Sequence, residues 1–529
     1  MNGNRLLYFV KQRWAYISLV FIIIFYLFNG IQYMASQSIT SDEGSFYDYA
    51  QRYLSGNPER IDPINDNSKM PVMVLNTLPR VVQQVLNPQL KKHDGGISDI
   101  MSGRFITLAI SVLIILLVFS WARQLYGNRA GVFAALLISL CPNSLANAAL
   151  VTTDSYSVLF LFATMYFLWR YFNEGGVKYF LLFSVCMALS QLVKQSLFHL
   201  YILVPLILII CYFINRPAIK WKSALKYLLI FLFINWLIIN AGYYFYSTNQ
   251  QLGKYHFMSD LFQGIQKLFP SWLLIPLPRP FVNGLDMAKY YDQLGGGFDN
   301  KSSFGKVTIL GHSSTGGSFW YYYFISIMYK TPISYLIFFG WSAFILVRTT
   351  TFKDFMHGEF FLTIPVLYFL LVLSFFYKTQ CGLRHIIFIY PFLFIFSSRL
   401  ILFATSTLSK ISIISLFIFL VLSVFTYWKN YYPYTNEFIH DKKMAYAIVG
   451  SANLDFLQGN YFYQHYLDKH REVHWVSEKP QAGVFLINVE DYMDVWNRHK
   501  YDWITHIKPF GQVAYSGLLI KVNKADFPN

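Results

Sequence analysis

The sequence predicts a mainly α-helical, polytopic transmembrane protein with a small α/β domain at its C-terminal end. Of its 529 residues, 55% are hydrophobic and 13% are charged, whereas a soluble domain carries about 25% charged residues. Apolar runs of about 20 residues recur up to about residue 430, and each is long enough to cross a bilayer as a helix. This composition excludes a soluble enzyme.

The charge balance also fits a membrane protein. Forty-three Lys and Arg against 27 Asp and Glu give a net charge of +16, which is typical of cytoplasmic loops that face anionic lipid. No nucleic-acid-binding motif accompanies this charge, so nucleic acid is not an expected partner. Three of the four cysteines lie inside apolar runs, which leaves no disulfide framework and no CxxC metal site.

The apolar runs predict about eleven membrane spans. The first run is longer than the apolar part of a signal peptide and lacks a cleavage site, so we expect an anchor. The predicted spans are residues 15–35, 103–121, 131–149, 155–172, 178–193, 197–214, 225–246, 332–347, 359–377, 385–403 and 411–427.

The basic residues predict the orientation, because cytoplasmic loops retain Lys and Arg. With the N-terminus inside, every inner loop holds at least two of them. An odd number of spans then places residues 36–102, residues 247–318 and the tail outside. We therefore predict a transmembrane catalytic domain over residues 1–427 and an extracytoplasmic domain over residues 428–529.

The tail shows the pattern of a small α/β domain. Strand-like stretches over 445–449, 483–489 and 517–522 alternate with helix-like runs over 456–470 and 491–500, as expected for such a domain.

The outer segment 247–318 contains clustered prolines and three consecutive glycines, Gly295 to Gly297, which predict a mobile, irregular flap. Its aromatic residues are typical of an interfacial belt. The alternative is that they stack on a sugar or line a polyprenyl groove. These aromatic residues are Trp272, Trp320 and Tyr321 to Tyr323.

Several cations lie at the outer ends of predicted spans, against the positive-inside trend. At that level a Lys or Arg is a natural partner for a lipid phosphate. The alternative is that each side chain extends to the interface or pairs with a carboxylate. These cations are Arg104, Lys194, Lys330, Lys378 and Arg384.

Three carboxylates occupy comparable positions. Asp42 and Glu43 follow the first span directly, and Asp154 opens the fourth span. Adjacent residues on a helix point in different directions, so one of Asp42 and Glu43 is expected to be catalytic and the other structural. Helix capping explains Asp154 equally well.

Carboxylates beside cations at a membrane surface suggest glycosyl transfer from a lipid phosphate. The leaving phosphate is already a good anion, so it requires neutralisation by Lys or Arg but no proton. A single Asp can then act as the general base for the acceptor hydroxyl, with inversion at the anomeric carbon.

The motifs, in their order, resemble those of GT-C glycosyltransferases of the protein O-mannosyltransferase and lipid A aminoarabinose transferase type. Asp42-Glu43 resembles the Asp-Glu signature of that family. Lys69-Met70-Pro71 resembles a Lys-Pro-Pro motif, with Met for the first Pro. Gly103-Arg104-Phe105 opens the second span as in the family, Asp154 takes the place of a second acidic residue, and Lys194-Gln195 resembles a Lys-Gly step.

The resemblance continues to the tail. Residues 319–332 resemble an aromatic run ending in Lys-Thr-Pro, and Arg384-His385 with Tyr390-Pro391 resembles an Arg-Tyr element followed by Tyr-Pro. Asn453-Leu454-Asp455 with Gln458 resembles an Asn-Leu-Asp-Trp-x-Gln element of bacterial members.

The resemblance implies a GT-C fold and a set of site residues. Asp42 is the implied catalytic base, with Glu43 and Asp154 as further catalytic candidates. The expected ligands of the donor phosphate are Lys69, Arg104, Lys194, Lys330 and Arg384. The expected substrate contacts are Tyr47, His312, Tyr322 and His385.

The implied partners are a polyprenyl-phosphate-linked sugar, membrane lipid, and an acceptor that is a protein, lipid A or another glycan. The expected location is a bacterial inner membrane with the site facing the periplasm. Aminoarabinose transferases carry Glu before the loop Lys, where this chain has Ser68. No metal site is therefore predicted, although a divalent metal cofactor stays open. His256, His312 and His385 are expected to form hydrogen bonds.

Two other functions remain as alternatives. A flippase or transporter of lipid-linked sugars would use the spans and cations, but it predicts charges near the middle of the bilayer. A polymerase or ligase of polyprenyl-linked glycans would use the same lipid carriers.

Overall fold

The computed structural model describes residues 3–60, 66, 68–88, 96–215, 220–295, 306–496 and 498–524. The described chain is mainly α-helical. Its helices are α1 (Gly3–Ser36), α2 (Glu43–Leu54), α3 (Val74–Leu86), α4 (Ile97–Tyr126), α5 (Asn128–Ser139), α6 (Pro142–Ala148), α7 (Asp154–Glu174), α8 (Val177–Ser190), α9 (Leu200–Asn215), α10 (Trp221–Ala241), α11 (Asp260–Leu268), α12 (Arg279–Leu294), α13 (Tyr322–Lys330), α14 (Ile333–Thr349), α15 (Phe352–His357), α16 (Phe360–Phe375), α17 (Tyr390–Ser398), α18 (Leu400–Phe403), α19 (Thr407–Phe425), α20 (Ala445–Val449), α21 (Asn460–Lys469) and α22 (Val489–Tyr492).

The strands are short and form three sheets. They are β1 (Gln250–Gln251), β2 (Leu274–Ile275), β3 (Lys306–Ile309), β4 (His312–Thr315), β5 (Val473–Trp475), β6 (Gly483–Asn488), β7 (Gly511–Val513) and β8 (Gly517–Val522).

Each predicted span overlaps helical residues, but fewer helices qualify as straight spans. Within the described ranges, six helices are long and apolar enough to cross a membrane, and eight if each of two bent pairs counts as one span. The pairs α5–α6 and α13–α14 bend by 66° and 113°. Each second helix starts at or just after a proline, Pro142 or Pro332, and the residue before a proline disfavours helical geometry. The shorter apolar helices α8 and α16 account for most of the remaining difference from the predicted eleven.

The helices pack around buried aromatic side chains. Trp121 of α4 is fully buried, and its ring lies 5.2 Å from that of Phe162, 5.5 Å from that of Trp169 and 6.0 Å from that of Phe392. Such rings bury a large apolar area and prefer tilted or edge-to-face contacts. This cluster joins α4, α7 and α17 into one core, with the predicted site at the ends of these helices.

The second outer segment is more regular than its sequence predicts. The described part of 247–318 contains α11, α12, the strand pair β1–β2 and the hairpin β3–β4, in which Lys306 pairs with Thr315. The prediction of an irregular flap is therefore wrong for these residues. Gly296 and Gly297 lie outside the described residues.

The tail contains a four-stranded sheet in the order β5-β6-β8-β7, with β5 and β6 parallel and the other pairs antiparallel. Strands β6 and β8 confirm the predictions over 483–489 and 517–522, and α21 confirms a helix within 456–470. The strand predicted over 445–449 is wrong, because this short apolar run forms α20 and ends at Gly450 with φ +73°. The helix predicted over 491–500 is also wrong, since the described residues of this range form only the end of the short α22.

Candidate active site

Asp42 and Arg384 form an ion pair at the ends of the helix bundle. Asp42 immediately precedes α2, and Arg384 lies in a 3-10 segment, Leu383–Ile389, before α17. The Nη1 atom of Arg384 lies 2.9 Å from Oδ2 of Asp42. One third of the Asp42 side chain is exposed, 33%, so solvent and substrate can reach this carboxylate. Among the described residues, none donates a hydrogen bond to its other oxygen, Oδ1.

Glu43 has a different environment although it is the next residue. It is completely buried, and Oε1 accepts hydrogen bonds from Arg104 Nε at 2.8 Å and from the Val151 amide at 2.9 Å. Oε2 accepts from the Thr40 amide at 2.9 Å and from Arg104 Nη2 at 2.5 Å. Both oxygens are saturated, so Glu43 is structural here and does not fit the catalytic candidacy given by its sequence position.

Arg104 is the buried partner of Glu43. Its remaining N–H groups donate to the carbonyl oxygens of Met34, Gln37 and Ser38 at 3.1, 3.0 and 2.7 Å. Together with the bonds to Glu43, these contacts use all five donors of a guanidinium. The predicted phosphate contact is therefore corrected, because Arg104 has no donor left for a phosphate oxygen. It ties the end of α1 to α4.

A second ion pair joins Asp154 and Lys194. Lys194 Nζ lies 2.7 Å from Asp154 Oδ1, and the two side chains are 17% and 5% exposed. The charges of Asp42, Lys194 and Arg384 all act on the half-buried ring of His385, and Asp154 acts on Arg384. The two ion pairs and His385 therefore share one electrostatic environment.

Lys69 supplies a third cation from the first outer loop. Its Nζ donates to the Ser45 hydroxyl at 2.7 Å and lies 3.7 Å from the centre of the Phe46 ring. Burial lowers the pKa of Lys69 to about 8, while the negative charges of Asp42 and Asp66 oppose that change. Lys69 is thus close to Asp42 and is still protonated at neutral pH.

Lys330 bonds to the backbone of the tail. It is buried, and its Nζ donates to the carbonyl oxygens of Tyr432 at 2.6 Å and of Asn453. These bonds use two of the three ammonium donors and hold the side chain against the backbone of the tail. The predicted phosphate contact of Lys330 is corrected to a structural one.

The tail also positions the backbone before Arg384. The Asn453 side chain accepts a hydrogen bond from the Leu383 amide at 2.9 Å and donates to the Tyr322 hydroxyl at 3.2 Å. That hydroxyl accepts from the Gly382 amide at 2.9 Å. Gly382 has φ +85°, a conformation that strongly favours glycine. Three polar groups and one glycine therefore fix the turn that presents Arg384.

Phe456 is a site residue that the sequence analysis did not single out. The Arg384 guanidinium carbon lies 4.2 Å from the centre of the Phe456 ring. The Tyr432 ring stacks on the Phe456 ring, with 5.6 Å between the ring centres and 14° between the ring planes. Phe456 takes the position of Trp in the Asn-Leu-Asp-Trp-x-Gln element, which was the available signal, but no pattern in the sequence indicates that it contacts Arg384.

The four residues that we expected to contact the substrate lie in different environments. Tyr47 and Tyr322 are buried, so their predicted substrate contacts are corrected: Tyr47 packs in the core and Tyr322 supports Gly382. His312 is exposed on β4, in a hairpin whose turn bonds to α20. Among the described contacts, none joins His312 to the carboxylates or cations above. His385 shares the electrostatic environment of the ion pairs, and the charge of Arg384 also acts on Tyr322.

The site residues do not fit a divalent metal ion. Asp42 and Asp154 are each paired with a cation, and Glu43 is saturated. In the described part of the chain, the only group of three His, Cys, Asp or Glu side chains close enough to share an ion is Asp494, His499 and Asp502 in the tail. The groups available to neutralise a phosphate at this site are Lys and Arg side chains.

The fold is mainly helical, and the ends of its helices carry the acidic and basic residues of the candidate site. Residues 97–241 match the family model of dolichyl-phosphate-mannose-protein mannosyltransferases. This match covers about a quarter of the chain, and over these residues it confirms the resemblance to the protein O-mannosyltransferases.

Similarity to a solved structure confirms the predicted helical fold. The apo oligosaccharyltransferase of Archaeoglobus fulgidus is similar with a TM-score of 0.50 and 12% identity, over 86% of this chain and 60% of that chain. This chain thus spans less than two thirds of that relative. ArnT from Cupriavidus metallidurans, crystallised bound to undecaprenyl phosphate, is similar with a TM-score of 0.48 and 11% identity, over 96% and 99% of the two chains. No curated protein sequence matches the chain.

Proposed function

We propose that this chain is an inverting glycosyltransferase that moves a sugar from a polyprenyl-phosphate donor to an acceptor hydroxyl at the membrane surface. The observation that carries the proposal is the accessible Asp42 carboxylate, held by Arg384 with Lys69 and Lys194 nearby. Transfer from a lipid phosphate requires an accessible carboxylate that acts as the base. It also requires clustered cations that neutralise the leaving phosphate.

The chemistry follows from these groups. Asp42 accepts the proton of the acceptor hydroxyl while the hydroxyl oxygen attacks the anomeric carbon. The bond from that carbon to the phosphate oxygen breaks, and its electron pair leaves with the polyprenyl phosphate. Lys69, Lys194 and Arg384 neutralise the departing phosphate, so the reaction needs no general acid. Attack opposite the leaving group inverts the anomeric configuration.

The match to the dolichyl-phosphate-mannose transferase model supports a polyprenyl-phosphate donor. The matched residues 97–241 include Asp154 and Lys194, the second ion pair of the site. The acceptor class stays open between protein, lipid A and another glycan. We further propose a bacterial inner membrane, with the site on the periplasmic side.

We also propose that residues 428–529 form a separate extracytoplasmic domain that closes over the site of the membrane domain, residues 1–427. Asn453 and Phe456 contact the segment of Arg384 directly. The tail and the first outer loop therefore lie on the same side of the membrane.

Replacing Asp42 by Asn tests the proposed base. Transfer of a radiolabelled sugar from a polyprenyl-phosphate donor should fall by about 10²- to 10⁴-fold, while binding of undecaprenyl phosphate persists because the cations remain. Arg384→Lys is the matched control, since it retains the charge and should keep more transfer than Asp42→Asn. Near-normal transfer by Asp42→Asn would refute the assignment.

The mass of the product distinguishes single-sugar transfer from the activity of a glycan polymerase or ligase. Single-sugar transfer gives one product mass, whereas a polymerase or ligase would give a ladder or an en bloc glycan. A flippase would move the lipid-linked sugar across vesicles without releasing polyprenyl phosphate.

A further inference from the structure

Helix α11 in the second outer segment turns an apolar stripe outward. Leu261, Ile265 and Leu268 are 51%, 38% and 79% exposed. Their spacing of four and three residues places them on one face of the helix. Exposed apolar side chains on one face of a helix, contiguous with others, mark an interaction surface.

A neighbouring face of α11 is partly covered by the rest of the outer segment, which gives the helix a defined orientation. The Phe262 ring lies 5.3 Å from that of Phe257. Gln266 Nε2 donates to the carbonyl oxygens of Leu252 and Tyr255 at 2.8 and 2.9 Å. Phe262 and Gln266 thus face the rest of the outer segment, while the apolar stripe faces outward.

The apolar surface continues from α11 to the end of α10, which is a candidate membrane span. Asn240 near the end of α10 donates to the Pro276 carbonyl at 3.2 Å, and Gln250 pairs with Ile275. These bonds hold the chain after α11 against the end of the span. The exposed residues along this path are Phe269, Trp272, Leu274, Tyr244 and Phe245.

We propose that α11 and residues 269–274, called here the surface segment, lie in the phospholipid head-group layer of the leaflet on the side of the candidate site. The leucine stripe faces the acyl chains, Trp272 lies at the interface, and Lys267 reaches the phosphates. Continuity with the lipid-facing surface of α10 favours lipid as the occupant over a soluble protein or a second copy. This inference does not depend on glycosyl transfer.

Insertion of the surface segment would hold the second outer segment at a fixed depth relative to the membrane surface. The Asp260 amide donates to Gln293 of α12 at 2.9 Å. At the end of α12, Asp292 Oδ1 accepts from the Lys378 amide at 2.8 Å and the Thr379 amide at 3.3 Å. The connection thus runs from the membrane surface to the chain that precedes Arg384.

Spin-label accessibility tests the proposal. In full-length protein with its four cysteines replaced, a nitroxide is attached at Leu268→Cys and, as the matched control on the neighbouring polar face, at Lys267→Cys. After reconstitution into phosphatidylcholine and phosphatidylglycerol vesicles, the label at 268 should collide more with oxygen than with a water-soluble nickel chelate. The label at 267 should show the opposite ratio. Leu229→Cys in α10 and Lys479→Cys in the tail give the lipid and water references.

Each outcome decides the proposal. A label at 268 as accessible to the nickel chelate as that at Lys479→Cys would overturn it, because the stripe would then face water. Protection from both reagents would also overturn it, since a second copy or a protein partner would be covering the stripe. If the cysteine-free chain does not fold, wild-type protein and Trp272→Phe are compared by fluorescence quenching with brominated lipids. The variant should lose part of the quenching, and equal fractional quenching would again overturn the proposal.

Discussion

The lowered pKa of Lys69 predicts how donor binding depends on pH. In the free protein Lys69 loses its proton near pH 8, against 10.5 in its ordinary state. A bound phosphate favours the charged ammonium and therefore raises this pKa. Affinity for a polyprenyl phosphate should be full below about pH 8 and should fall above it, because binding then requires uptake of a proton. The fall is limited to about tenfold per pH unit for one proton.

The total loss of affinity follows from the strength of the hydrogen bond between Lys69 and the phosphate. A hydrogen bond to a charged group contributes about 1.5 to 3 kcal/mol, which corresponds to about a 10- to 150-fold loss of affinity once Lys69 is neutral. A phosphate monoester has its second pKa at about 6, so the charge of the ligand itself hardly changes above pH 7. The pH range from 7 to 9.5 therefore reports the protein.

The assay is titration of purified protein with undecaprenyl phosphate between pH 7 and 9.5, followed by intrinsic fluorescence or thermal shift. Lys69→Arg stays charged throughout this range and should remove most of the fall. Lys194→Arg is the matched control, because it leaves Lys69 in place and should retain the fall. An unchanged pH dependence in Lys69→Arg would refute the assignment of Lys69 to the phosphate.

Further predictions concern stability, positioning and sidedness. Glu43→Gln should lower the free energy of unfolding by about 3 to 5 kcal/mol, because it leaves the buried Arg104 without its counter-charge; a normal thermal transition would contradict this. Phe456→Ala should weaken undecaprenyl phosphate binding, and Phe456→Trp should restore it, since a cation–π contact contributes about 0.5 to 2 kcal/mol; equal affinities in both variants would leave Phe456 without a role at Arg384. A cysteine at the exposed Lys479 should react with a membrane-impermeant maleimide in intact spheroplasts, and labelling only after permeabilisation would place the tail in the cytoplasm.

The sequence predicted the fold class well because it rests on long apolar runs and on short strand-like stretches. Strands β6 and β8 appear where such stretches predicted them. The strand prediction for residues 445–449 failed because a run of five apolar residues is compatible with a strand or a buried helix. Here Ala445 and Val449 pack into the core of the tail from one face of α20.

The site could be predicted only in part, because burial was invisible in the sequence. The positive-inside trend identifies a cation on the outer side but does not show whether protein carbonyls already surround it. Arg104 and Lys330 are surrounded in this way by oxygens from distant parts of the chain. Asp42 and Glu43 could not be separated either, since the groups that saturate Glu43 come from α4 and from Val151.

One short part of the tail controls both members of the candidate catalytic pair. The Ser38 and Ser41 amides, just before Asp42, donate to the carbonyl oxygens of Gln458 and Phe456, each at 3.2 Å. The ring of the same Phe456 lies against Arg384. The backbone of residues 456–458 therefore locates the carboxylate while a side chain from it locates the guanidinium. Because both contacts come from one segment, a shift of the tail relative to the helices would change the separation of base and cation, and a base acts only within hydrogen-bond reach of its substrate.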